Sequence, residues 1–163
     1  MKKRPGITAP RLWLVFMKSY RVLSLLAERS IAKTGLCLTD FAALEALLHK
    51  GPLTITQIQD KVRLASGSMT AAVDRLEKLG LVVRKASPID RRTRVVHLTA
   101  EGKGLAASSF ERHVKDIDAL MSPLSEKEME QLYGSLKKLG LLAAEKLDEH
   151  ETRFTSKKER TTK

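Results

Sequence analysis

Three arginines stand within four positions, Arg91, Arg92 and Arg94, with Asp90 just before them. Guanidinium groups at this density suit the anionic oxygens of a polyphosphate backbone. A carboxylate two residues before Arg92 can hold that guanidinium in one orientation, set to enter a narrow, negatively charged groove. A second group lies upstream, on a helix predicted over residues 66–79. Its outward positions are Ser66, Ser68, Thr70, Ala71, Arg75 and Lys78. Small hydroxyl residues at a helix start allow close approach, so that hydroxyls and backbone amides can hold phosphate. Thr70 and Ala71 suit a thymine methyl, and Arg75 has the reach for a guanine edge or a phosphate. Thr54, Thr56 and Gln57, at the start of the preceding helix, and Arg91 and Arg94 of the basic run complete the set of candidate DNA contacts.

Other chemistries have less to work with. The histidines His49, His97, His113 and His150 are scattered without metal-ligand spacing, and Cys37 is the only cysteine. A thiolate zinc site and an internal disulfide both need more. No glycine-rich phosphate loop and no nucleophile–base–acid spacing occurs, so no enzymatic activity, cofactor or metal is expected. Cys37, between Leu36 and Leu38, is expected to be buried, where a thiol is inert. His113, following Phe110, reads as an ordinary satisfied or exposed histidine.

The elements that would carry these residues follow from periodicity. Residues 11–33 read as a helix with two apolar stripes, one of Trp13, Phe16, Met17, Tyr20, Leu23 and Ala27, the other of Leu12, Val15, Val22 and Leu26. Such a wide apolar sector must be buried on more than one side. Thr39 is expected to cap a short helix that Gly51-Pro52 stops. Thr54 to Gln57 has capping-box form and opens a very short helix. Ser66 is expected to cap the helix that leaves at Gly80. The period then changes to β-branched runs at residues 81–85 and 93–98, a hairpin with a long basic tip. Thr99 caps a fifth helix, and Ser125 to Glu128 is a second capping box opening a sixth. The sixth helix carries Met129, Leu132, Leu136, Leu139, Ala143 and Leu147 at near-heptad spacing.

The 163 residues carry a net charge of +11, with 42% hydrophobic and only 4% aromatic side chains. The charge is unevenly placed. Residues 61–94 hold nine Lys/Arg against three acids, whereas residues 101–150 hold seven against ten. A concentrated positive block beside a predicted helical hairpin points to a phosphate-facing surface. No apolar run approaches membrane-spanning length, and the basic start lacks the unbroken apolar stretch of a secretory signal, so a cytoplasmic protein without membrane contact is expected.

Three short helices followed by a two-stranded hairpin make a winged helix-turn-helix pattern. The fold class expected is mainly α with a small antiparallel β hairpin. Residues 1–10 are read as a flexible basic arm and residues 36–100 as the winged DNA-binding module. Residues 11–35 and 101–147 are read as a helical dimerisation region, since they carry more apolar surface than so small a module can cover, and residues 148–163 as a disordered basic tail.

The stretch Leu38-Thr39-Asp40-Phe41, the helix from Ser66 to Gly80 ending Arg75-Leu76-Glu77-Lys78-Leu79-Gly80, and Asp90-Arg91-Arg92 with Leu98-Thr99-Ala100-Glu101-Gly102 resemble the MarR family of transcription regulators. The resemblance spans roughly residues 10–147. It implies a homodimer with one recognition helix per half-site of a pseudo-palindromic operator in double-stranded DNA. By that match Ser66, Ser68, Thr70 and Arg75 take the major-groove and phosphate roles, and Asp90 with Arg92 the wing role in the minor groove. It further implies repression relieved by a small phenolic or aromatic acid, or by oxidation of a cysteine. The Cys37-Leu38-Thr39-Asp40-Phe41 context is similar to a branch linked to quinone and phenol response, which implies a redox or quinone-reactive role for Cys37 as the alternative to burial. An aromatic-acid effector likewise implies a pocket for His113 to line, with Arg29 or Tyr20 as polar partner, as the alternative to its ordinary reading. A winged-helix protein that binds nucleic acid without sequence preference, as an architectural component, is the alternative.

Overall fold

The computed structural model describes residues 6–62, 68–87, 89–90 and 92–161, with residues 148–161 as backbone alone. In chain order the elements are α1 (Ala9–Ala32), α2 (Leu38–Lys50), α3 (Ile55–Val62), α4 (Met69–Lys78), β1 (Val82–Ala86), β2 (Arg94–Leu98), α5 (Ala100–Met121) and α6 (Glu126–Thr161). The fold class is the one the sequence predicts: a mainly helical chain with one antiparallel hairpin.

Several boundaries follow from local chemistry. The Thr54 N–H donates to Gln57 Oε1 at 2.9 Å while the Gln57 N–H donates to Thr54 Oγ1 at 3.2 Å, the reciprocal pair of a capping box. Ser125 and Glu128 repeat the arrangement at the start of α6, with Ser125 N–H to Glu128 Oε2 at 2.9 Å. Two other caps differ from expectation. At α2 the extended residue is Cys37, whose carbonyl accepts the Phe41 N–H at 3.0 Å, so Thr39 already lies inside the first turn. At α4 the cap is Ser68, whose Oγ accepts from the Ala71 N–H at 3.3 Å; Ser66 lies outside the described residues. Alternating serines offer both registers, and the buried Met69 and Val73 select the later one. The last helix also runs further than its apolar stripe. It continues as helix to Thr161, where the loss of apolar content predicts a disordered tail, because its Glu, Lys and Arg are good helix formers and no Gly or Pro interrupts them.

The core of residues 6–120 lies where α2, α3 and α4 meet the hairpin. Leu44, Ile58, Val73, Leu76 and Val96 are fully buried there, with Phe41 and Val82 beside them. The hairpin pairs Val82 with Leu98 through Ala86 with Arg94. Leu53 adds a bridge that the sequence reading misses: it exchanges both backbone hydrogen bonds with Val96, at 2.8 and 3.2 Å. A single residue before α3 thus pins the base of the wing to the helices.

The exit from α4 and the entry to α5 are built together. Gly80 takes a positive φ of 72° as the chain turns out of the helix. Thr99 caps α5 by accepting the Gly102 N–H at 3.0 Å, and its own hydroxyl donates to the Gly80 carbonyl at 2.8 Å. Gly102 is needed for contact rather than for conformation. A Cβ there would stand 1.8 Å from the Leu81 carbonyl oxygen, so α5 can seat against the start of β1 only without a side chain. The spacing Leu98-Thr99-x-x-Gly102 therefore encodes one cap and one close approach.

The segment from residue 121 onward, dominated by α6, is a separate unit. Taken alone, α6 leaves Met129, Leu132, Leu136 and Leu139 exposed. The long α1 does the same at its start, where Trp13 is 63% exposed and Leu12, Val15 and Tyr20 are similarly open; only Ser30 and Ile31 near its end are buried. No helix among the described residues is long and apolar enough to cross a membrane.

Gly102→Ala is expected to lower stability by about 1–3 kcal/mol, or to force a shift of α5, because backbone must move to admit the methyl. Gly104→Ala, two residues on in open space, should be neutral or stabilising by up to about 1 kcal/mol through helix propensity. Equilibrium urea unfolding of both variants checks the contrast; equal effects would show that the Leu81 contact is not limiting.

Candidate nucleic-acid interface

Helix α4 is divided lengthwise. Met69, Ala72, Val73 and Leu76 are buried, and Thr70, Ala71, Asp74, Arg75 and Lys78 face solvent, with Ser68 exposed at the cap. This is the outward face the sequence predicts, extended by Asp74. Ser66 and Arg91, both predicted contacts, lie outside the described residues.

Two arginines on or beside this face are paired with acids. The Arg75 Nη2 donates to Asp40 Oδ1 at 2.6 Å and its Nε to Asp40 Oδ2 at 3.2 Å, a two-pronged pair joining α4 to the first turn of α2. The Asp40 side chain is only 8% exposed. The sequence reading gives Arg75 a base or phosphate contact; here its fork is closed on a buried carboxylate, whose charge a cation compensates. The same Nη2 lies 3.5 Å from Cys37 Sγ. Arg84, in β1, pairs with both Asp74 and Glu77 of α4, and its backbone N–H donates to Glu77 Oε1 at 3.0 Å. The recognition-type helix is thus tied by guanidinium groups to α2 on one side and to the wing on the other.

In the wing, Asp90 acts on backbone. Its Oδ1 accepts the Arg92 N–H at 2.9 Å and its Oδ2 accepts the Thr93 hydroxyl at 2.8 Å, while its carbonyl accepts the Thr93 N–H at 3.0 Å. The expectation that this carboxylate grips the Arg92 guanidinium is corrected: it shapes the turn from which Arg92 projects, as an Asx turn does. These bonds, from the Arg92 backbone first and then from Thr93, hold the Asp90 carboxyl below its ordinary pKa. Arg92 and Arg94 are exposed, and among the described residues neither has an ion-pair partner. Thr56 is exposed at the start of α3, whereas Thr54 and Gln57 are engaged in their capping box. With Asp74 and Glu77 on Arg84 and Asp90 on backbone, the acids of this block are all occupied, and Lys61, Lys78, Lys85, Arg92 and Arg94 have no ion-pair partner among the described residues.

The predicted sensor residues separate. Cys37 is exposed, not buried: Leu36 turns into the core while the cap conformation turns its neighbour outward. His113 Nδ1 lies 3.4 Å from the hydroxyl of buried Ser30, and its ring meets Phe41 edge-on at 5.1 Å. Arg29 and Tyr20 are exposed and are not the polar partners of His113; Tyr20 stacks with Phe16 instead. Asp116 completes the polar cluster, its carboxyl held low by the Ser30 hydroxyl and then by Lys33. Sequence reasoning missed Ser30 and Asp116, which lie 86 positions apart and carry no shared motif. No group of three or more potential metal ligands occurs among the described residues.

Comparison with known proteins agrees with this geometry. The model of the MarR family matches residues 36–93, from the cap of α2 through the wing. The HTH-type transcriptional regulator MhqR of Bacillus subtilis is 44% identical over 133 residues, which cover 82% of this chain and 92% of that protein. A probable transcriptional regulator from Pseudomonas aeruginosa superimposes with a TM-score of 0.68 at 27% identity, covering 79% of this chain and 96% of that one. BpsR of Bordetella bronchiseptica shares the fold, with a TM-score of 0.71 at 18% identity over 84% of this chain and 98% of its own.

The wing turn carries a pH dependence whose sign is fixed by Asp90. A carboxyl whose folded pKa is depressed contributes order above its unfolded value and loses it as pH falls through the folded one. In an NMR titration the Arg92 amide and the Asp90 carboxyl are expected to move together, with a midpoint below the ordinary 3.8. A midpoint at or above that value would show that the carboxylate does not hold the turn.

Proposed function

The chain belongs to the MarR family of DNA-binding transcriptional regulators, and on that premise we propose that it works as a homodimeric repressor of a pseudo-palindromic operator, released by a small effector. It acts by binding alone, without a reaction of its own, and in the cytoplasm, where its DNA is. The observation that carries this reading is the arrangement of α4 and the wing. A polar helix face with Ser68, Thr70 and Ala71 exposed stands beside a hairpin whose Arg92 and Arg94 pair with no carboxylate among the described residues. A helix face of small side chains suits the major groove, and unpaired arginines suit the adjoining minor groove.

Dimerisation is supported by the open apolar surface. Leu12, Trp13, Val15 and Phe16 on α1, and separately Leu132, Leu136 and Leu139 on α6, are each about two-fifths or more exposed in one protomer. Contiguous apolar surface on this scale marks an interface, and a second copy is the partner that supplies two recognition helices for a two-fold operator. Residues 11–35 and 101–147 are assigned to that interface.

For the effector, two observations support a phenolic, quinone-type or oxidant signal. BpsR is a protein of this fold whose DNA binding is regulated by 6-hydroxynicotinic acid, so an aromatic acid is an effector the architecture accommodates. In this chain the exposed Cys37 thiol touches the Arg75 guanidinium, so an adduct or oxidised sulfur would press on the contact between α2 and α4.

Selection from random duplexes is expected to return one inverted-repeat sequence bound far more tightly than bulk DNA, by a species that sediments as a dimer. Arg92→Ala should weaken that binding and reduce the slope of log affinity against log salt by about one. A ratio near one between selected and random DNA would return the architectural alternative. In the same assay a quinone or peroxide should release wild type but not Cys37→Ser; release of both alike would remove the thiol from the mechanism and leave a non-covalent effector.

A further inference from the structure

Of the two cations of α4, Arg75 and Lys78, Arg75 is closed on a carboxylate. We propose that Arg75 is a positioning residue: with Asp40 it forms a clamp that fixes the rotation of α4 on α2, so that the small outward residues present themselves to the groove in one register. The proposal rests on the DNA-binding reading above and assigns Arg75 a different task from base or phosphate contact.

Three observations point the same way. The pair is two-pronged, through Nε and Nη2 onto the two oxygens of one carboxylate, and such a fork resists rotation in a way a single contact does not. The Asp40 side chain is nearly buried, and the Arg75 guanidinium is paired with it at 2.6 Å. The two residues lie 35 positions apart, on different helices, so the contact constrains packing between elements and not local helix shape.

The geometry of α4 shows why such a device is needed. The helix has only ten residues, and the face turned to DNA must remain free of apolar cover. Four buried side chains from Met69 to Leu76 hold it against the core but form a narrow stripe about which a short helix can roll. Arg75 lies at the edge of that stripe on the α2 side, and the Arg84 pairs with Asp74 and Glu77 lie on the wing side. A polar clamp at each edge stops the roll without adding apolar surface to the face that must stay wet. A base-reading array held about 1 Å out of place loses its contacts together, so the orientation of α4 is itself a determinant of specificity.

The test is a set of affinity measurements on the full chain, using a selected operator duplex and a random duplex across a salt series. The variants are Asp40→Asn, Arg75→Lys, Arg75→Gln and the double variant Asp40→Asn/Arg75→Gln. If the clamp positions α4, Asp40→Asn and Arg75→Lys each weaken operator binding by about tenfold or more, with the salt slope and the affinity for random DNA at wild-type values. The double variant is then no weaker than the worse single one, since both remove the same contact. If Arg75 instead touches phosphate, Arg75→Gln lowers the salt slope by about one and weakens both duplexes alike, and Asp40→Asn, which frees the guanidinium, binds as well as wild type or better. Either of those results overturns the proposal. Should a single variant fail to fold because a charge is stranded, the double variant decides: operator binding lost at an unchanged slope supports the clamp, and wild-type affinity overturns it. A wild type that selects no sequence would overturn the functional reading itself, whereas a selective wild type with contact-type variants overturns the clamp alone.

Discussion

One constraint governs this chain: a ten-residue helix must be held firmly on one side and left uncovered on the other. Burial alone serves most helices, because any face can be covered until the helix is fixed. Here that route is closed on the outward face. What remains is a stripe of four buried residues and the polar rims on either side of it, and at both rims an arginine is engaged with acids. Exposed ion pairs contribute little in general. The Asp40 pair differs because one member is nearly buried, so that breaking it leaves an uncompensated charge in the protein. The surrounding details serve the same end. Leu53 ties the wing to the helices through Val96, and Gly102 lets α5 close on Leu81 behind the exit from α4.

The charge of the basic block divides into two populations with opposite tasks. Arg75 and Arg84 are struts between elements, and they occupy Asp40, Asp74 and Glu77 in that role. Asp90 organises the wing turn from below. Among the described residues, the cations left over face solvent without ion-pair partners. Pairing leaves the net charge as composition sets it, but it decides where positive charge stands open: on the wing and the α3–α4 side.

Much of this architecture can be read from the sequence, and the boundary of what can be read has a physical form. Caps, turns and strand pairing depend on residues within a few positions of one another. The Thr54–Gln57 and Ser125–Glu128 boxes, the Thr99 cap and the hairpin register are legible for that reason. Even so, neighbouring candidates can compete. Ser66 and Ser68 offer two starts for α4, and tertiary packing of Met69 chooses between them. Long-range pairing is another matter. Nothing in residues 36–80 taken as a string says that Arg75 closes on Asp40, and without that fact an outward arginine on such a helix reads as a groove contact. Cys37 fails for a related reason: its apolar neighbours suggest burial, but the extended backbone at a helix cap sends adjacent side chains in different directions.

The clamp also sits where the rest of the protein can reach it. Helix α1 ends at Ala32, and the link to α2 is short and well determined. The Thr34 hydroxyl donates to the Ile31 carbonyl at 2.6 Å, Gly35 turns at a φ of 80°, and Leu36 is anchored in the core before Cys37 caps α2. Asp40 lies in the turn that follows. At the other end of this link, buried Ser30 holds α1 to α5 through His113 and Asp116, and the His113 ring rests on Phe41, the residue next to Asp40. Close-packed interiors transmit displacement rather than absorb it. A displacement of the His113 ring is accordingly passed to Phe41, which it touches and which is the residue next to Asp40. The Ser30–His113–Asp116 cluster, the exposed thiol and the Asp40–Arg75 pair are thus joined contact by contact along the start of α2.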